Sequence, residues 1–132
     1  METIRLLLVD DEEDFRTTLA SRLKKRNINV TDVGSGNEAI ELTREESFDV
    51  AVLDIKMPGM DGIETLRQLK KVAPLVEVIL LTGHGSVEAG IEGMRLGAYD
   101  YLMKPYNVKD LLLKVEDAYR RKLLEEGHTR EK

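Results

Sequence analysis

The chain has 132 residues, of which 42% are hydrophobic and 34% are charged, with a formal net charge of −5. This balance is typical of a globular protein and the length suits one compact domain, which excludes a disordered chain. An acidic surface repels phosphate backbones, so we expect no direct binding of nucleic acid by this domain. The sequence contains no cysteine, which excludes disulfides and thiolate metal sites. It also shows no secretion signal and no apolar run long enough to cross a membrane, and we therefore expect a cytoplasmic protein.

Five short apolar segments recur along the chain and are predicted to be strands. They are Ile4–Val9, Asn29–Val33, Val50–Asp54, Val76–Thr82 and Tyr99–Met103. The first, third and fourth segments are nearly continuous in Leu, Val and Ile. Continuous apolar runs of this length are typical of parallel strands that are covered on both faces of a sheet.

Between these segments, apolar residues recur with the spacing of helices. In chain order the sets are Phe15, Leu19 and Leu23; Ile63, Leu66 and Leu69; Val87, Ile91 and Met94; and Leu112, Val115 and Tyr119. Helix starts are indicated by a capping box at Ser35 and Glu38 and by possible N-caps at Asp61, Ser86 and Asn107. The last helix is predicted to run from Val108 to about Glu126.

A strand followed by a helix, five times over, predicts an α/β domain with a doubly wound, five-stranded parallel sheet. No linker rich in Pro, Gly or Ser divides the chain. We therefore predict one domain over residues 1–126. Residues 127–132 would form a C-terminal tail, which could be the start of a linker to an output domain.

Polar residues stand at the predicted carboxyl ends of four strands. Asp10 and Asp11 follow the first strand, Asp54 ends the third, Thr82 ends the fourth, and Lys104 follows the fifth. Ligands bind at this edge of a doubly wound sheet. Three carboxylates in one cleft repel one another unless a cation neutralises them, and oxygen ligands of this kind favour Mg2+.

A metal ion and a lysine on either side of a carboxylate form a site for phosphoryl transfer, because both stabilise negative charge on the transferred group. Asp54 is the best candidate for the nucleophile because it stands alone at its strand end, whereas Asp10 and Asp11 are better placed to hold the metal. The alternatives are an acidic first helical turn for Asp10 and Asp11 and an ordinary loop carboxylate for Asp54. The joint occurrence of the set favours the functional interpretation.

The segments LLLVDDE, VLDIKMPGMDG, ILLTGHG and GAYDYLMKP resemble the receiver domain of two-component response regulators, and the similarity extends from about Ile4 to Leu123. The resemblance implies a flavodoxin-like three-layer sandwich with strand order 2-1-3-4-5. It also implies a sensor histidine kinase or phosphotransfer protein as phosphodonor. A downstream effector or output domain would respond to the modified form.

The resemblance assigns roles by position at the metal and phosphoryl site. Asp54 would accept the phosphoryl group, and Asp11 would bind Mg2+ directly. Asp10 would act largely through water, and the backbone carbonyl of Lys56 would complete the protein ligands. Lys104 would contact the phosphoryl group and be followed by a cis peptide bond.

The resemblance also implies a switch that senses the modification. Thr82 would move its hydroxyl onto a phosphoryl oxygen, and Tyr101 would turn inward into the space that Thr82 leaves; without the resemblance, Tyr101 would be taken as a core residue. Lys56 and His84, two positions beyond Asp54 and Thr82, are predicted to flank the site and to tune the lifetime of the phosphoryl group. The alternative is that both are solvated loop side chains.

The surface around residues 87–123 is predicted to change on phosphorylation and to bind a partner or pair with itself. In the last helix, apolar residues near heptad spacing could form a dimerising coil or, alternatively, cover the sheet. They are Leu112, Val115, Tyr119 and Leu123.

Two other functions compete with a signalling receiver, which would not be a turnover enzyme. An aspartate-nucleophile phosphatase would carry its nucleophile after the first strand and a second aspartate two positions on, where this chain has Glu12. A flavodoxin-like cofactor binder would need a phosphate-cradling loop after the first strand, where this chain has acids that repel phosphate.

Overall fold

The computed structural model describes residues 3–83 and 87–130, in which strands and helices alternate. The strands are β1 (Arg5–Val9), β2 (Asn29–Val33), β3 (Val50–Asp54), β4 (Glu77–Thr82) and β5 (Asp100–Met103). The helices are α1 (Glu13–Lys24), α2 (Gly36–Glu45), α3 (Gly62–Val72), α4 (Val87–Arg95) and α5 (Val108–Arg130). Every predicted strand is confirmed to within one residue at either end.

All five strands are parallel and lie in the order β2-β1-β3-β4-β5. This confirms the doubly wound, flavodoxin-like arrangement. The chain runs from β1 outward to β2 and then crosses back to β3 on the other side of β1. The strand order therefore reverses between β1 and β3, which opens a crevice at their carboxyl ends.

The two faces of the sheet are buried by different helices. Leu6 and Leu8 of β1 pack with residues of α1 and α5, whereas Leu7 and Val9 pack with residues of α2 and α3. All four side chains are fully buried. Burial on both faces explains why the central strands are continuously apolar instead of alternating between apolar and polar residues.

Three of the predicted helix caps are formed, each by a side-chain oxygen that accepts a hydrogen bond from the backbone N–H three residues on. The pairs are Ser35 with Glu38 (3.2 Å), Asp61 with Glu64 (2.9 Å) and Asn107 with Asp110 (2.8 Å). Each cap satisfies a donor that the helix itself leaves unpaired, which is worth about 1 kcal/mol. Ser86, the fourth predicted cap, lies outside the described residues.

Helix α4 forms as predicted, but its apolar side chains face outward. Val87, Ile91 and Met94 are 43%, 52% and 41% exposed. The buried residues of α4 are Gly90 and Gly93. A Cβ at these two positions would lie 2.9 Å and 2.0 Å from side-chain atoms of β5 and β4. The glycines thus let α4 approach the sheet closely with a face other than the apolar one.

Helix α5 continues through Gly127 to Arg130, about four residues beyond the end predicted near Glu126. The domain boundary predicted after residue 126 therefore falls inside a helix, and it stays a prediction. Leu112 and Val115 are buried against the sheet, whereas Leu123 is 43% exposed. The sheet-covering alternative is therefore confirmed for Leu112 and Val115 and for Tyr119, which packs partly buried against the same core, and coil formation stays a prediction.

The helices within residues 3–83 and 87–130 can be compared with the length and hydropathy of a membrane span. None of these helices combines the length and the apolar character that crossing a bilayer requires.

Candidate functional site

Three acidic side chains meet at the crevice between β1 and β3. Asp10, Asp11 and Asp54 each place one carboxylate oxygen within 4.8 Å of the others. Asp10 follows β1 and Asp54 ends the neighbouring strand β3, so the strand order brings them side by side. Asp10 and Asp54 are 1% and 5% exposed, and Asp11 is exposed to solvent.

Burial raises the pKa of Asp10 and of Asp54 above the ordinary value for a carboxyl group. For Asp10 this effect exceeds the opposing one of the hydrogen bond that the Glu12 backbone N–H donates to Oδ1 at 2.9 Å, and the charge of Asp54 raises the pKa further. For Asp54 the nearby charge of Lys104 lowers the pKa but does not offset burial. Ionised carboxylates are thus unfavourable in this crevice unless a cation joins them.

Lys104 places its ammonium group beside the Asp54 carboxylate. Its Nζ lies 3.5 Å from Asp54 Oδ1 and 4.8 Å from the centre of the Phe15 ring. The backbone N–H of Lys104 donates to the Thr82 carbonyl at 2.8 Å. The peptide bond to Pro105 is cis, as the resemblance implied. An aromatic face and a carboxylate therefore hold the lysine between them.

Thr82 and Tyr101 lie on the same side of the sheet. Tyr101 is in register with Leu80 on β4, and residues two apart on a strand share a face. Thr82 is fully buried, and within residues 3–83 and 87–130 its hydroxyl has no hydrogen-bond partner. The ring of Tyr101 packs beneath α4 at Gly90, where a Cβ would come within 2.9 Å of it.

The two residues predicted to tune the site differ in what the structure shows of them. The side chain of Lys56 is exposed, while a hydrogen bond from its backbone N–H to the Asp54 carboxylate partly opposes the burial that raises the pKa of Asp54. His84 lies outside the described residues. The predicted influence of both side chains on phosphoryl lifetime stays a prediction.

Sequence analysis missed two residues that shape the site. Arg16 donates from Nη1 to the Asp10 carbonyl at 2.9 Å. Gly62 lies so close to β3 that a Cβ there would be 2.5 Å from the Asp54 carbonyl oxygen. Both residues stand in the first turn or so of a helix, where a cation opposes the helix dipole and glycine is a poor helix former. A cation and a glycine near the starts of helices were therefore the signals in the sequence that pointed to these two residues.

Tyr106 is a third residue near the site to which the sequence drew no attention. Its hydroxyl is buried and has no hydrogen-bond partner in the described part of the chain. Burial, followed by the charges of Asp10 and Asp54, raises the pKa of Tyr106 to about 12. Its ring lines a cavity of about 450 Å³ together with Phe15 and Lys104. Tyr106 is thus a neutral phenol at any physiological pH.

The acidic set fits a hard divalent cation. Its donors are carboxylate oxygens, and Asp10 Oδ2 is buried without a hydrogen-bond partner among the described residues. A buried, unpaired carboxylate oxygen is costly, and a cation removes that cost. Mg2+ suits a few carboxylates that leave room for water and phosphate oxygens.

The sequence profile of the response regulator receiver domain matches residues 6–116. The chain belongs to this family. The receiver is 38% identical over 117 residues to the transcriptional regulatory protein ZraR of Escherichia coli strain K12, covering 89% of this chain and 26% of that protein. Over 111 residues it is 35% identical to the DNA-binding transcriptional regulator NtrC of Klebsiella pneumoniae, covering 84% of this chain and 24% of that protein.

A solved structure agrees with these relatives. The receiver domain protein from Clostridium thermocellum superimposes with a TM-score of 0.88 at 35% identity, covering 92% of this chain and 98% of that one. The receiver spans about a quarter of the length of the curated relatives named above. The family predicted from the four motifs is confirmed, and with it the function of a phosphoacceptor domain in two-component signalling.

Proposed function

We propose that Asp54 is the residue of this receiver that takes the phosphoryl group from a phosphohistidine donor. The observation that carries the proposal is the position of its buried carboxylate, within 4.8 Å of carboxylate oxygens of Asp10 and Asp11 and 3.5 Å from the Lys104 ammonium. In the transfer, an oxygen of Asp54 forms a bond to phosphorus. The phosphorus–nitrogen bond of the donor breaks, and its electron pair returns to the histidine ring.

Charge neutralisation prepares Asp54 for this step. Asp10, Asp11 and Asp54, with the backbone carbonyl of Lys56, would hold Mg2+, and Asp10 would contribute largely through water. When bound, the ion supplies positive charge to the carboxylates and to the phosphoryl oxygens. Lys104 provides further positive charge, because the Phe15 ring and the β4–β5 pairing keep its ammonium beside Asp54.

The buried hydroxyl of Thr82 is the group that senses the new phosphoryl group. It has no partner to give up within the described residues, so its rotation onto a phosphoryl oxygen adds a hydrogen bond without breaking one. Tyr101 lies on the same face of the sheet and turns inward as Thr82 moves. This coupling carries the change from the site to the surface of α4, β5 and α5, within residues 87–123.

The same surface is suited to a partner. It carries four apolar side chains that are between 41% and 54% exposed: Val87, Ile91, Met94 and Leu113. Exposed apolar side chains of this kind are typical of surfaces that bind another protein. We propose that phosphorylation adjusts this patch for an effector, an output domain or a second copy of the chain. The donor would be a sensor histidine kinase or phosphotransfer protein in the cytoplasm. Because the relatives are transcriptional regulators, a transcriptional output of the whole protein is the favoured proposal.

The receiver would assist its own phosphorylation and dephosphorylation without being a turnover enzyme. Lys56 and His84 would set how long the phosphoryl group lasts by flanking the path of the attacking water. The half-life of the phosphoprotein in Lys56→Asn and His84→Ala measures this influence, and unchanged half-lives in both variants would contradict it.

Labelling with acetyl phosphate and Mg2+ tests the assignment of Asp54. We expect one acyl phosphate per chain by intact-protein mass spectrometry, no label in Asp54→Ala, and no label in the wild type after chelation of the metal. Asp14→Ala is the matched control, because Asp14 is an exposed carboxylate in the first turn of α1. It should be labelled like the wild type.

Two outcomes would contradict the proposal. Label that survives Asp54→Ala would place the acceptor elsewhere, and label that ignores Mg2+ would remove the role of the acidic set. Steady release of inorganic phosphate from an aryl phosphate over many turnovers would favour the competing aspartate-nucleophile phosphatase.

A further inference from the structure

Arg16 links three elements that meet behind the acidic crevice. It lies in α1, and its Nε donates to Asp32 Oδ2 near the end of β2 at 2.8 Å. Its Nη1 donates to the backbone carbonyl of Asp10, just past β1, at 2.9 Å. The side chains of Arg16 and Asp32 are only 16% and 24% exposed. The guanidinium is therefore held in a defined position and does not sample solvent as an ordinary surface arginine does.

The carbonyl that Arg16 binds belongs to the peptide unit between Asp10 and Asp11. A peptide unit is planar, so holding its carbonyl in place also holds the two flanking Cα atoms, from which the side chains of Asp10 and Asp11 start. These two side chains are the carboxylates assigned to the metal. Arg16 thus acts on the direction of two ligands through one hydrogen bond, although it contacts neither carboxylate in the structure.

The turn needs such an anchor because its own charges oppose its geometry. Asp10, Asp11 and Asp54 place carboxylate oxygens within 4.8 Å of one another, and without a cation their repulsion favours any movement that separates them. Within residues 3–83 and 87–130, Asp10 makes two other hydrogen bonds, one from its N–H to the Val33 carbonyl at 3.2 Å and one from the Glu12 N–H to its side chain. The second bond closes a turn over Asp11, but neither bond is made by the Asp10 carbonyl itself, which Arg16 binds.

We propose that Arg16, held by Asp32, is a positioning residue that preorganises Asp10 and Asp11 for the divalent cation. This inference rests on the proposed function, which places the metal at that acidic pair. The positive charge of Arg16 is paired with the carboxylate of Asp32, so its effect on the site is geometric. Loss of the guanidinium should therefore weaken the binding of a divalent cation.

A purely electrostatic role predicts the opposite sign. A cation near three carboxylates competes with a metal ion, and removing it would tighten metal binding. The sign of the change in the Mg2+ dissociation constant of Arg16→Gln therefore separates the two ideas. Partners that orient metal ligands usually change metal affinity by 10- to 100-fold, and because Arg16 acts through the backbone we expect an increase in the dissociation constant of about tenfold.

The experiment measures Mg2+ binding to the unphosphorylated chain by calorimetry and Mn2+ binding by electron paramagnetic resonance. Arg16→Lys keeps the charge but cannot span both partners, so it should weaken binding by about threefold to fivefold, and Asp32→Asn should do the same. At saturating Mg2+ the rate of phosphorylation by acetyl phosphate should stay within about twofold of the wild type. The defect then lies in metal affinity and not in the chemical step.

Two control variants separate positioning from general destabilisation. Arg5→Gln removes an arginine that pairs with Glu46 at 3.3 Å at the start of β1, and it should leave the dissociation constant unchanged. Ile79→Val lowers stability by a small deletion in the fully buried core, and it too should leave metal binding unchanged.

The outcomes separate the positioning role of Arg16 from the metal site itself. The positioning role would be overturned if folded Arg16→Gln had the wild-type dissociation constant. If Arg16→Gln does not fold, the same result in Arg16→Lys and Asp32→Asn would overturn it. Tighter binding in these variants would also overturn it, in favour of electrostatic competition. A wild-type chain that binds neither Mg2+ nor Mn2+ would instead refute the metal site of the proposed function.

Discussion

The contact between Gly62 and the strand that carries Asp54 makes a strong prediction. Gly62 is the first residue of α3, directly after the Asp61 N-cap. A Cβ at this position would lie 2.5 Å from the Asp54 carbonyl oxygen and 2.6 Å from the Ile55 Cα. Both of these are backbone atoms, which cannot rotate away as a side chain can. Gly62→Ala therefore forces α3 and the end of β3 apart.

The size of the effect follows from these distances. Ordinary contacts of a Cβ begin at 3.4 Å, so the backbone would have to yield by about 0.9 Å. The Gly62 N–H also donates to the Ile55 carbonyl at 2.8 Å, and that bond would be stretched. Overpacking costs about 1–3 kcal/mol and the helix propensity of Ala returns less than about 1 kcal/mol, so we expect a net loss of about 2 kcal/mol. For a domain of this size the melting temperature would fall by about 6–10 °C.

The same displacement should reach the chemistry, because the carbonyl that moves belongs to Asp54 itself. A shift of about 1 Å in a reacting group can slow a reaction by up to about a hundredfold. We expect phosphorylation of Gly62→Ala by acetyl phosphate to be at least about tenfold slower than in the wild type at temperatures where the variant is folded. Urea unfolding followed by circular dichroism gives the stability, and mass spectrometry gives the rate.

Gly127→Ala is the matched control for this substitution. Nothing lies within 4 Å of a Cβ at Gly127, which is inside α5, so the same chemical change should raise stability by as much as about 1 kcal/mol. Its phosphorylation rate should equal that of the wild type. If Gly62→Ala matched Gly127→Ala in both stability and rate, the inferred backbone contact at Asp54 would be refuted.

Three further substitutions test other parts of the structure. Burial raises the pKa of Glu77, so the ionised Glu77 side chain disfavours folding at any pH above the pKa that it has in the unfolded chain. In urea titrations, Glu77→Gln should therefore be more stable than the wild type at pH 7, and this gain should vanish by about pH 4. Phe15→Leu removes the ring 4.8 Å from the Lys104 ammonium and should slow phosphorylation about twofold to fivefold, whereas Phe15→Tyr should retain the rate. Gly90→Ala adds a Cβ 2.9 Å from the Tyr101 ring and should lower stability by about 1–2 kcal/mol and abolish the phosphorylation-dependent shift of the Tyr101 ring signals in NMR spectra.

The fold was predictable because its signals are local and repeated. Continuous Leu, Val and Ile segments identify strands buried on both faces, and the caps at Ser35, Asp61 and Asn107 mark helix starts that the structure confirms. Strand ends are also local, and the rule that ligands bind there brought the distant residues Asp10 and Asp54 together correctly. The cis peptide before Pro105 agrees with what the resemblance implied.

Features that depend on distances between elements were not predictable in this way. Nothing in the sequence around Arg16 says that its guanidinium reaches the Asp10 carbonyl, because that contact depends on the angle between α1 and β1. The need for glycine at position 62 depends on how closely α3 approaches β3, which the sequence does not state. The helical period at Val87, Ile91 and Met94 correctly predicted a helix, but a period alone does not say which face meets the sheet.

The orientation of α4, with glycines against the sheet and apolar side chains outward, suits a helix whose surface reports phosphorylation. With Gly90 and Gly93 against the sheet, α4 gains little from the burial of side chains, and each glycine lowers its helix propensity by about 1 kcal/mol relative to alanine. A helix attached this weakly can be shifted by the few kcal/mol that new hydrogen bonds at Thr82 would supply. Its apolar residues are exposed for the same reason, since side chains buried under the helix would fix it in place, whereas side chains on its outer face can bind the protein that detects the shift.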